Sequence, residues 1–156
     1  MKKNVVFGII SGVIAIVGLT QLFGGMANAD TYNEYIEKVR PLVEQQDALL
    51  EEIDSATDEE GAKRVADWLK RSRQIEAKLK ALIPEEDWIA ALHSHMVARG
   101  ESFTAMVESA EKFFTTNQES YVTEMKKHAA DAAKHLDAYL AARDKTAAEK
   151  DFEVKD

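Results

Sequence analysis

From residue 30 onward, apolar side chains recur in steps of three and four, the spacing that lines one face of an α-helix. The first stripe is Tyr32, Tyr35, Val39, Leu42, Gln46, Leu49 and Ile53. Pro41 lies inside it. A proline there removes one backbone donor and should kink the helix, at a cost of about 3 kcal/mol relative to a good helix former. The second stripe is Val65, Trp68, Ser72, Ile75, Leu79 and Leu82, preceded by Thr57-Asp58-Glu59-Glu60. That is a capping box, in which the side chains of the first and fourth residues satisfy each other's amides.

Pro84 opens a third helix, where its missing N–H would be unpaired anyway, and Glu85, Glu86 and Asp87 suit the positive end of the helix dipole. Its stripe runs Trp88, Leu92, Met96, Arg99, Phe103, Met106, Ala110 and Phe113, thickened by Ile89, Val107 and Phe114. Thr115-Thr116-Asn117 breaks the run, and Thr116-x-x-Glu119 offers a second capping box. The fourth stripe is Val122, Met125, Ala129, Ala132, Leu136 and Tyr139. From about Thr146 the chain is charged and alanine-rich with no stripe, which predicts a disordered tail over 146–156.

These elements predict an all-α fold, an antiparallel up-down-up-down four-helix bundle over residues 30–145. A dimer of long helical hairpins is the alternative. The narrow stripes of the first two helices imply coiled-coil-like seams, and the broad apolar face of the third favours a closed monomer.

Ahead of the first stripe the pattern changes. Met1-Lys2-Lys3 is followed by an apolar run from Val5 to Phe23 and then by Gly24-Gly25-Met26-Ala27-Asn28-Ala29. A positive start, an apolar stretch and a small-x-small exit are the parts of a bacterial-type secretory signal peptide. Ala27 and Ala29 fit a peptidase that accepts only small side chains, so cleavage is expected after Ala29, with residues 1–29 removed. The other reading is an uncleaved anchor, since the run approaches the length needed to span a bilayer. Both place residues 30–156 outside the cytoplasm: in the periplasm, secreted, or facing outward from a membrane.

The chain has no cysteine, which excludes a lipoprotein anchor, disulfides, c-type haem attachment and thiolate metal sites. Its net charge is -8, and every acidic residue lies at or after Asp30, so losing Lys2 and Lys3 takes the remainder to -10. That charge disfavours nucleic acid and anionic lipid surfaces and suits a protein partner with a basic face. No membrane binding is expected of the mature part unless the anchor is retained.

The histidines are the natural candidates for chemistry. Glu124-x3-His128-x2-Asp131-x3-His135 lies along one edge of the fourth helix. Imidazoles beside carboxylates can bind a transition metal or tune one another's protonation. Two i,i+4 carboxylate–histidine pairs on a solvated rim account for the same pattern. Seven residues of helix rise about 10 Å, so His128 and His135 need ligands from elsewhere to share an ion. His93 and His95 fall on opposite flanks of the third stripe, with Met96 inside it as core filler.

The Glu-x-x-His pairs of di-metal bundles are absent, and the first helix carries neither His nor Met for a b-type haem. No phosphate loop or nucleophile elbow occurs, so no cofactor and no catalysis are expected. Arg99 stands out within an apolar stripe. Counting from the turns places it near Leu42, Leu69 and His135, where Asp131 or Glu124 could pair with it; otherwise it snorkels to water past Gly100.

The function these features favour is a non-enzymatic binding or interaction module outside the cytoplasm. A metal or small-ligand carrier on the histidine edge of the fourth helix is the alternative, and a structural envelope component a third.

Overall fold

The computed structural model describes residues 25–154. It contains four helices packed against one another: α1 (Asp30–Ser55), α2 (Asp58–Ala81), α3 (Asp87–Thr116) and α4 (Ser120–Lys150). Two short strands, β1 (Met26–Ala27) and β2 (Glu153–Val154), pair antiparallel with Met26 opposite Val154 and Ala27 opposite Glu153. Most of the sequence assigned to the signal peptide, residues 1–24, lies outside the described residues. Among the described residues no helix is long and apolar enough to cross a membrane.

The stripes account for the packing. All seven residues of the first stripe are buried. α1 also buries Ile36, Val43, Asp47 and Leu50, so its inward face is broader than the narrow seam read from sequence. Pro41 sits on the exposed side, where the Glu37 carbonyl that it leaves without a donor can be hydrated. α2 begins at the expected capping box: Glu60 N–H donates to Thr57 Oγ1 at 3.3 Å, and Thr57 N–H donates to Glu60 Oε2 at 2.9 Å.

Three boundaries differ from expectation. α3 begins at Asp87 with Glu86 as its N-cap, so Pro84 lies in the connection before the helix rather than in its first turn. Thr116 does not cap α4 but ends α3, its hydroxyl donating to the Lys112 carbonyl at 2.8 Å. Asn117 stops that helix in the left-handed conformation (φ 56°), which asparagine tolerates better than most residues. The chain after Thr146, expected as a tail, instead continues α4 to Lys150 with Ala147 buried. Asp151 then turns at positive φ, the Phe152 amide returns to the Ala147 carbonyl at 2.9 Å, and β2 follows. Alanine needs no large stripe to pack: it lets two backbones approach, and Ala129 and Ala132 serve the most extensive helix contact, α3 with α4.

The starts of α1 and α3 and the ends of α2 and α4 meet at one end of the molecule. Tyr32 stacks on Trp88 with centroids 5.8 Å apart, Trp88 meets Phe152 at 6.0 Å, and His93 reaches the Leu79 carbonyl at 2.9 Å.

Candidate functional site

This end, called here the near end, carries the unusual chemistry. Tyr32 and Tyr35 enter α1 at its first turns, and each ring is buried by the core stripe. A buried phenol retains a hydroxyl that must find a partner. Tyr32 Oη lies 2.8 Å from Tyr139 Oη on α4, and Tyr35 Oη lies 3.1 Å from His93 Nδ1 on α3. The Leu79 carbonyl can only accept, so His93 Nε2 carries the hydrogen in their 2.9 Å bond. In the neutral imidazole Nδ1 then accepts, and the Tyr35 hydroxyl donates to it. Burial lowers the His93 pKa, with backbone carbonyls opposing, and burial raises those of Tyr35 and Tyr139. The group is therefore uncharged around neutral pH.

Trp88 roofs this network. Its indole N–H donates to Glu86, Lys150 sits 5.5 Å above its ring, and Glu86 also accepts from Thr31. Those bonds, the Trp88 contact first, hold the Glu86 carboxyl below the ordinary range.

Beside the network lies a cleft of about 220 Å³. One wall is the outer face of α1, Thr31, Glu34, Tyr35 and Lys38; the other is the α2–α3 connection, residues 81–85, with Ile89. Ile83 stands on this rim 87 % exposed. The cleft offers an apolar floor, the edge of Tyr35 and both signs of charge. A concavity of this kind, an apolar floor edged by a few polar groups, can hold a ligand.

The edge of α4 does not converge. Glu124 faces Ser109 at 3.4 Å, Asp131 faces Lys134 at 3.7 Å, and His128 and His135 stay half-buried on their own helix. Among the described residues no group of three or more His, Asp or Glu could hold a metal ion.

Arg99 is buried, and it neither snorkels past Gly100 nor pairs with α4. Its Nη2 meets Asp47 Oδ1 at 3.0 Å, and its Nη1 donates to the Gln46 side-chain oxygen. Arg99 points across to α1 rather than to α4, and it meets that helix about one turn beyond Leu42. Gly100 packs instead on α2, where an added Cβ would lie 3.0 Å from Leu79 Cδ1.

Ala27 and Ala29, assigned to peptidase recognition, occupy folded positions. Ala27 pairs with Glu153; Ala29 is buried, and its carbonyl accepts from the Asn33 amide at 3.0 Å. Sequence reasoning missed the roles of Tyr35, His93, Asn33 and Ile83. Two tyrosines within a core stripe were the available signal for the first pair, because each needs a buried partner. Ile83, the residue before Pro84, is displayed because the chain there is held extended between helices.

No family model matches the chain, and neither a curated protein nor a solved structure does.

Proposed function

We propose that this chain is an exported, non-enzymatic binding module of the cell envelope or extracellular space, folded as a closed up-down-up-down four-helix bundle. Its partner is another protein, engaged through the near-end cleft. The observation that carries this reading is Ile83. Among the described residues the other large apolar side chains lie buried or half-buried in the core, whereas Ile83 stands free at the rim of an open cleft. An isolated apolar side chain beside a concavity is a natural anchor for a partner, while the charged surroundings select which partner approaches. With residues 1–29 removed the module carries -10, so a basic partner face is favoured and binding should weaken as salt rises.

Site-specific cross-linking tests it. A photoreactive side chain at residue 83, installed in the exported protein in living cells, is expected to yield a discrete adduct that falls with added salt. The same group at Gln118, in the turn at the opposite end, should yield none. Equal labelling from both positions, or none from either, would count against the reading. The metal-carrier alternative draws no support from the side-chain arrangement on α4 among the described residues.

A further inference from the structure

The five residues before α1 are built into the molecule. Met26 is fully buried. Its N–H donates to Asn33 Oδ1 at 2.9 Å, and its carbonyl accepts from Asn33 Nδ2 at 3.0 Å, so a single carboxamide reads both polar groups of one extended residue. Along the other edge β2 supplies a strand, with Val154 opposite Met26 and Glu153 opposite Ala27. A Cβ on Gly25 would lie 2.7 Å from Asn33 Oδ1, so a larger residue there would push the carboxamide out of its position. Together these make a receptor for a short extended peptide: a backbone clamp, a strand edge, an apolar slot for one side chain and a preference for glycine before it.

The residues filling that receptor lie on the far side of the expected cleavage bond, Ala29–Asp30. A signal peptidase acts on the chain during export, before folding, so the burial seen here does not protect the bond. Cleavage carries Gly25–Ala29 away with the leader. It leaves Asn33, β2 and the slot on the mature protein without the segment that satisfies them.

We propose that the mature protein fills this slot with an extended segment of another polypeptide, in which glycine precedes an unbranched apolar residue such as Met, added as a strand against Glu153–Val154. Opposite Glu153 a lysine or arginine should improve on Ala27, since oppositely charged cross-strand pairs attract. The slot is separate from the Ile83 cleft. Asn33 projects about 100–160° around α1 from Thr31, Glu34, Tyr35 and Lys38, which line that cleft, at about 100° per residue. The proposal rests on cleavage after Ala29 and goes beyond the cleft reading, whose failure would leave it standing.

The test uses the processed protein purified from exporting cells, with its N-terminus determined and a cooperative thermal melt recorded. It is titrated calorimetrically with the capped peptide Gly-Gly-Met-Ala-Asn-Ala. Saturable one-to-one binding is expected, stronger when the residue after Met is Lys and lost when the Met is replaced by Asp. Asn33→Ala should weaken it about tenfold or more, as two hydrogen bonds are removed, and Ile83→Asp should leave it unchanged. The proposal is overturned by an N-terminus upstream of Met26, by a processed protein with no cooperative melt, by no saturable binding, or by binding indifferent to Asn33→Ala.

Discussion

The two ends of the molecule are closed by different physics. At the far end, where α1 meets α2 and α3 meets α4, the devices are local and wet. Thr57 and Glu60 cap each other three residues apart, Asn117 turns a helix end by its own conformation, and Glu52 collects Arg64 and Arg71 near the surface. At the near end the contacts are long-range and dry. Tyr32 and Tyr139 are 107 positions apart in sequence, and Tyr35 and His93 are 58 apart. A local cap contributes little and can be lost alone. A buried hydrogen-bonded network contributes only when every member is in place, and a broken one leaves desolvated polar groups behind. The cleft, the displayed isoleucine and the Met26 slot are all at the end with the harder construction.

That contrast can be attacked by mutation. Tyr32→Ala removes a fully buried ring and strands the Tyr139 hydroxyl; a loss of roughly 3–5 kcal/mol is expected, read by denaturant unfolding. Arg99→Met, midway between the ends, leaves Asp47 largely buried without its cation and should cost about 3 kcal/mol. Adding Asp47→Leu should recover most of that loss, because a desolvated ion pair is replaced by apolar packing. Thr57→Ala, at the far end, should cost only about 1 kcal/mol. If Thr57→Ala proved as damaging as Tyr32→Ala, the distinction between the ends would collapse.

The smallest effect is one of pH. His93 is buried neutral with its pKa lowered, so the unfolded chain binds a proton more readily than the folded one. Its contribution is fully present above the unfolded-state value of about 6.5 and is lost as pH falls through the lower folded-state value. The melting temperature should therefore drop between pH 7 and pH 5, before the carboxylates titrate. His93→Gln should flatten that part of the profile.

What could be read from the sequence follows the same division. The four stripes placed most of the core but left out Ile36, Val43, Leu50 and Leu69, and the Thr57 capping box is intact, because periodicity and caps are local signals. Thr116-x-x-Glu119 had the letters of a second box, but Asn117 between them takes the left-handed conformation and ends the preceding helix instead. The tail was misread for a related reason: Ala147 packs by being small, and Phe152 and Val154 find their partners far away in sequence, at Trp88 and Met26. Arg99 was singled out correctly as a polar position, yet its partners Gln46 and Asp47 depended on which helix faced it. The near-end site was the least legible, since Tyr35, His93, Leu79 and Ile83 come together only when three separate segments are packed.

The central claim is that recognition belongs to the near end and hinges on Ile83. The direct measurement is quantitative capture of envelope proteins at low salt by wild type, Ile83→Asp and the far-end variant Gln118→Asp, each first shown to melt cooperatively. The account predicts one partner enriched equally by wild type and Gln118→Asp, and lost with Ile83→Asp. The same partner retained by Ile83→Asp, or lost with Gln118→Asp, would contradict it.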